Sequence, residues 1–386
     1  MLADDSVEED YIVKMNIDAN PLQKNSDPSS NAILHYLTHR LKPLFLRLMQ
    51  TGAFTHGAST LKFKFKVNGE APPEGYAVFI GLHDDNTAEY FNREAANDTL
   101  WKELYDKYTF PRGSVWIALR APTDTAPLWV EASIAQIIDK FIAQLVMTGG
   151  VDPNRIFLLG EGMGATAACT VGAALAYRFA GILAFSGYGF SLMLSTASVP
   201  VYIDGLEEEP DGAKRVSLCK YEKQFEVLGG RFPGEYEHVI VRLPPTANPV
   251  AERSAAIEKM MLKQRTPLPG RVIWLQSDYF AVASFYWVAV PQIECRPDTV
   301  IVVTHTAANE FRIQTNHTDT IILRLNKYMI DLSKKVKIYC NEGLKFFDFL
   351  NQNKDMSTKT SHEFSDPYLT FSIEQAINVN EPKIII

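Results

Sequence analysis

The stretch Gly150 to Ala168 limits most sharply what this chain can fold into. Asp152-Pro153-Asn154 has turn composition, and a short apolar run, Ile156 to Leu159, follows it. The run ends in a corner carrying Gly160, Gly162 and Gly164, and an alanine-rich segment compatible with a helix comes next. Glycines at such a corner allow backbone conformations and close approaches that a β-carbon would block. A strand, a tight corner and a helix are therefore expected here, with Gly162 at the apex.

The 386 residues suffice for two domains and a large core. A net charge of −7 with no long basic block argues against nucleic acid as a partner. Cys169, Cys219, Cys295 and Cys340 are scattered without a C-x-x-C pair, which points to free thiols in a reducing compartment. Residues 1–18 are acidic and lack the basic and apolar regions of a secretory signal, and no apolar run reaches the ~20 residues of a membrane span. A cytoplasmic protein with no membrane partner and no cofactor is expected.

Three regions are expected along the chain. Residues 1–58 form a polar tail and a helix kinked at Pro43, and His35 and His39 lie four apart on that helix. That spacing can hold a metal, but no third ligand is near, so no metal site is expected. Residues 59–270 alternate apolar strands with helices, the pattern of a mostly parallel sheet covered on both faces. Leu61, Phe63, Phe65 and Val67 alternate with lysines, as in a half-exposed edge strand ending at Asn68-Gly69. Residues 271–386 carry short strands between turns and little helical patterning, the signature of a small all-β domain. Ser284 to Val290 is expected as one strand there, and residues 364–373 as a further one.

Taken in order, Lys64 to Gly69, Gly81-Leu82-His83, Ala121 to Thr125 with Leu128-Trp129, Gly150 to Arg155, the glycine corner, Phe285-Tyr286-Trp287 and Asp331-Leu332 carry a family likeness. The chain resembles the α/β-hydrolases of the carboxylesterase/depolymerase type that carry a C-terminal β-domain. The resemblance runs from about residue 60 to 345. It implies an α/β class: a doubly covered, mostly parallel α/β-hydrolase sheet plus a small C-terminal all-β domain. In that family the corner presents a serine nucleophile in a G-x-S-x-G elbow.

Departures from the family fall on its chemistry. The nucleophile position is Gly162, which has no side chain. The oxyanion loop reads His83-Asp84-Asp85-Asn86, and carboxylates there oppose a developing negative charge. Glu207 stands near the place of the acid, while the loop expected to bring the histidine base, Pro244 to Pro249, offers Asn248 instead. His238 begins the strand whose far end should carry the base, a misplacement of about 15–20 Å. Gly162, Glu207, Asn248 and His83 are thus expected as vestigial positions of a catalytically degenerate member, with no catalytic residue.

The first expectation is a pseudoenzyme: not an enzyme, but a structural or interaction protein with protein partners in a larger assembly, cytoskeletal (microtubule-associated) or flagellar. Two alternatives stay open. One is a carboxylic-ester hydrolase-like enzyme with relocated chemistry, drawing on Ser186, Tyr188, Glu161, Asp84 and Asp85, the three carboxylates able to hold Mg²⁺ or Ca²⁺ if they converge. The other is a small-molecule-binding module using the vestigial pocket.

Overall fold

The computed structural model describes residues 48–85, 93–124, 128–129, 131, 133–147, 150–205, 213–242, 248–277 and 282–380. The tail, the kinked helix with His35 and His39, and Glu207 lie outside the described residues. Those described fall into two compact units, one ending at Arg265 and the other starting at Thr266.

The first unit is built on an eight-stranded sheet. Its strands are β1 (Ala53–His56), β2 (Ser59–Asn68), β3 (Tyr76–Leu82), β4 (Ser114–Arg120), β5 (Val151–Glu161), β6 (Gly181–Phe185), β7 (Val201–Asp204) and β8 (Val239–Arg242). They lie in the order β1-β2-β4-β3-β5-β6-β7-β8. The β1–β2 and β2–β4 pairs are antiparallel and every other pair is parallel. Every residue of β3, β4 and β6 is buried, as strands covered on both faces must be. Phe79 stacks on Phe157 at 4.7 Å and Phe110 on Trp116 at 4.4 Å, and each fully buried aromatic contributes about 1.5–3 kcal/mol.

Two strand expectations are corrected. β2 shows the alternating burial, but it is not the edge strand: Ala53–His56 pairs outside it. Four residues are too few for alternation to announce a strand. The Asp152-Pro153-Asn154 turn lies inside β5 rather than before it. Tyr76 pairs with Val151 and Val78 with Ile156, so the intervening residues bow out of register. Asp152 closes the bow by accepting from the Asn154 amide at 2.9 Å and from Arg155 at 3.0 Å.

Helices α1 (Arg93–Lys107), α2 (Ser133–Met147), α3 (Met163–Ala174), α4 (Ala213–Arg231) and α5 (Pro249–Met261) accompany this sheet. α2 buries Ile134, Ile137, Ile138, Phe141, Ile142 and Leu145, the expected stripe. α1 buries only Ala96, Asn97 and Leu104 among its own residues, too weak a period to mark it in the sequence. α5 starts on Asn248, whose side chain accepts from the Ala251 amide at 3.1 Å, with Pro249 in the first turn. Its buried stripe is Arg253, Ala256, Ile257 and Met260.

The second unit has two sheets. Their strands are β9 (Arg271–Leu275), β10 (Ser284–Phe285), β11 (Val288–Ala289), β12 (Val300–Ala307), β13 (Glu310–Thr315), β14 (Thr320–Leu325), β15 (Val336–Cys340), β16 (Gly343–Asp348) and β17 (Ile373–Asn378). The five-stranded one has the order β16-β15-β13-β12-β9 and the four-stranded one β10-β11-β14-β17. Trp274 of β9 stacks on Phe285 of β10 at 5.6 Å, which joins the sheets in one core. Three expectations change here. Ser284 to Val290 forms two short strands, because Tyr286 takes a positive φ of 54° between them. The strand expected over 364–373 begins only at Ile373. The unit also contains a helix, α6 (Lys354–Phe364), capped by Asn353.

Candidate functional site

The corner between β5 and α3 exists because three residues there lack a β-carbon. A β-carbon on Gly160 would lie 2.0 Å from the Gly164 carbonyl oxygen, and one on Gly164 would lie 2.1 Å from the Leu82 carbonyl oxygen. Gly162 sits at the apex with φ 53° and ψ −115°, its amide donating to the Phe185 carbonyl at 3.0 Å. This is a strained position for any L-residue, and glycine adopts it freely.

The space above Gly162 is filled by the Asp84 carboxyl. A β-carbon on Gly162 would stand 2.0 Å from Cγ and from both carboxylate oxygens of Asp84. Asp84 Oδ1 accepts from the Met163 amide at 2.6 Å, at the N-terminus of α3, and from the Asp85 amide at 2.8 Å. The Tyr188 hydroxyl lies 2.9 Å from Asp84 Oδ1 and 2.6 Å from Asp85 Oδ1. The one phenolic proton lies between two carboxyl groups and can be donated to only one of them at a time. Burial pushes the Asp84 carboxyl above its ordinary range, against the lowering effect of the Met163 amide. Burial and the adjacent Asp84 push the Tyr188 hydroxyl far up, so it keeps its proton. Asp85 Oδ2 is buried without a hydrogen-bond partner among the described residues.

His83, one residue before, is a structural histidine here. Its Nε2 accepts from the Ala121 amide at 3.1 Å, so the ring proton is on Nδ1, which donates to the Asp84 carbonyl at 2.6 Å. Burial lowers its pKa to about 4. The Trp129 indole donates to its carbonyl at 3.0 Å and pins the start of the loop.

Beside the corner a pocket of about 420 Å³ is lined by Asp84, Leu100, Glu103, Leu104, Asp106, Lys107 and Glu161. Glu161 is committed elsewhere. Lys107 donates to both its oxygens at 2.8 Å, Tyr108 donates to Oε1, and Arg253 lies 3.4 Å away. The three carboxylates Asp84, Asp85 and Glu161 therefore do not converge on a cation. Among the described residues no group of three or more His, Cys, Asp or Glu side chains is placed to hold a metal.

Arg253 ties Glu161 to the end of β7. It donates to Asp204 at 2.8 and 2.9 Å and to the Ser186 hydroxyl at 2.6 Å, and all three side chains are buried. Asp204 rather than Glu207 is the described carboxylate at the end of β7. Burial raises its pKa, opposed by the guanidinium. Ser186 is held by an arginine, not by an imidazole. Asn248 caps α5, and His238 stands at the other end of β8, its Nε2 buried without a partner among the described residues. The sequence reading missed Asp204, Arg253, Lys107 and Tyr108. The available signals were a carboxylate ending an apolar strand and an arginine inside the apolar stripe of α5.

No sequence-family model matches the chain, and the search of curated proteins found no match. Solved structures are. A thermostable esterase is 18% identical over 55% of this chain and 62% of its own, with a TM-score of 0.40. Esterase PE8 is 16% identical over 52% of this chain and 99% of its own, with a TM-score of 0.36. The enterobactin esterase of Shigella flexneri is 14% identical over 52% of this chain and 55% of its own, with a TM-score of 0.34. The chain thus spans less than two thirds of the first and third of these. These neighbours are enzymes by name, and against that finding the expectation that the chain is not an enzyme is withdrawn. At such identities and TM-scores the likeness carries no activity over to this chain. Parallel β3 to β8, a glycine corner between β5 and α3, and a separate β-rich unit give this chain an α/β-hydrolase fold with a small C-terminal β-domain.

Proposed function

We propose that this chain is a carboxylic-ester hydrolase whose proton chemistry is carried by Asp84, with Tyr188 and Asp85 around it, in place of a serine triad. One observation carries the reading: the Asp84 carboxyl fills the space above Gly162 at the apex of the corner, where it also lines a pocket; burial there raises its pKa. A base whose pKa is lifted toward neutrality is stronger than an exposed carboxylate.

In this reading Asp84 takes a proton from a water molecule in the pocket. The water oxygen bonds to the ester carbonyl carbon, the carbon–oxygen bond to the alkoxy group breaks, and Asp84 returns the proton to the departing alcohol. Tyr188 orients the base through its 2.9 Å contact. Leu100 and Leu104 offer the pocket's apolar lining to the acyl or alkoxy chain. Nothing in the described residues favours a cytoskeletal or flagellar place, and none is proposed.

The test is hydrolysis of p-nitrophenyl acetate and butyrate by the full chain and by Asp84→Asn. The variant should lose about 10²–10⁴-fold in kcat/KM. The native rate should climb with pH through a midpoint above the ordinary carboxylate range and then level, because only the deprotonated base accepts a proton. Equal rates in the two proteins, or covalent labelling by a fluorophosphonate, would refute the reading.

A further inference from the structure

The β15–β16 hairpin carries an exposed face of lysines and phenylalanines. Residues 335–349 hold three Lys and two Asp or Glu, against a net charge of −7 for the whole. Lys337 pairs directly with Phe347 in the hairpin register, and Val336 with Asp348. Side chains alternate along strands, so Lys337 and Phe347 share one face, and the flanking Lys335 and Phe349 continue it. The Lys335 ammonium lies 5.1 Å from the Phe347 ring centre and 5.7 Å from that of Phe349, and the Lys337 ammonium lies 5.6 Å from Phe347. The two phenylalanines are 46% and 50% exposed, and the Lys335 side chain 44%. Asp348, 3.9 Å from Lys335 and itself exposed, is a loose pair that leaves the cation available. On the neighbouring strand Arg312 lies 4.7 Å over Tyr339, which extends the alternation of cation and ring.

We infer that this face docks on an anionic lipid surface, with Phe347 and Phe349 entering the headgroup region and Lys335 and Lys337 meeting the lipid charges. Phenylalanine has no polar tip to satisfy in water, so exposing two side by side loses hydrophobic free energy that an acyl boundary returns. Lysines beside them supply the attraction to anionic headgroups, which an isolated apolar pair lacks. An acidic polypeptide offers the same charge complementarity, but it needs its own apolar groups in register with both rings, whereas a bilayer presents apolar depth at every point.

The test is co-sedimentation of the full chain with mixed phosphatidylserine–phosphatidylcholine vesicles and with phosphatidylcholine vesicles alone. Binding is expected to the mixed vesicles, to weaken as salt rises, and to be lost on the neutral ones. The pair Lys335→Ala with Lys337→Ala should lower the partition coefficient by about 25-fold, and Phe347→Ser with Phe349→Ser by about tenfold or more. Lys335→Arg with Lys337→Arg should retain binding, which separates loss of charge from loss of fold. Equal binding to both vesicle types, no binding by the native chain, unchanged binding in the alanine pair, or binding to poly-glutamate but not to vesicles would each overturn the inference.

Discussion

Replacing Arg253 by methionine removes the guanidinium from a carboxylate that has no water to fall back on. The arginine is 4% exposed and Asp204 1%, and the pair makes hydrogen bonds of 2.8 and 2.9 Å. Breaking a buried pair by deleting one partner costs about 3–5 kcal/mol, because the survivor stays charged in a poorly solvated place. For a unit of this size each kcal/mol moves the midpoint by about 2–4 °C, so the variant should melt about 6–20 °C lower. The deficit should also depend on pH. Burial already raises the Asp204 pKa, and without the guanidinium it rises further above its unfolded value. A carboxyl with a raised folded pKa contributes stability that is fully present below the unfolded pKa and is lost as pH rises through the folded one. Arg253→Met should therefore recover toward native stability as pH falls into the carboxylate range. Converting Asp204 to leucine in the same background should restore most of the loss at neutral pH. Urea unfolding of the native chain, both single variants and the double variant, across pH, measures all of this. A cost under about 1 kcal/mol, or a double variant no more stable than Arg253→Met, would refute the reasoning.

Three further outcomes are expected. Gly160→Ala should cost about 3 kcal/mol or more in urea unfolding, because its β-carbon meets backbone at 2.0 Å and no side chain can move aside; a variant of native stability would contradict the corner as described. Gly162→Ser should destabilise as well, by crowding Asp84, and the added change Asp84→Gly should recover part of the loss by vacating that space; no recovery would remove Asp84 from it. His83 is neutral in the folded chain, with a pKa lowered to about 4, so its contribution is present above the ordinary histidine value and is lost as pH falls toward 4. The native chain should lose up to about 3 kcal/mol over that interval, at ~1.4 kcal/mol per unit, and His83→Gln should flatten the slope.

Much of the first unit could be read from the sequence because burial on both faces leaves unbroken apolar runs: β3, β4, β6 and β7 are of this kind. The α2 helix was visible through its isoleucines. β1 was hidden by its length, and α1 by a buried face of an alanine, an asparagine and one leucine. The site divides the same way. Gly162 and the Asp84-Asp85 pair stood out because they break a local pattern. Arg253 and Asp204 did not, because they lie far apart in the chain and meet only after β7 and α5 come together around β6. A charge in an apolar stripe has no local explanation, and its partner cannot be named before the topology is known.

The Met163 amide is the first free donor of α3, and in most helices such a group exchanges its hydrogen with solvent quickly. Here a carboxylate of the same chain covers it at 2.6 Å. Its deuterium uptake should therefore be slow while the Asp84 carboxylate stays in place and speed up whenever that contact breaks. That single backbone hydrogen makes a clock for how often the pocket's acidic wall is unlatched, readable without any substrate or label.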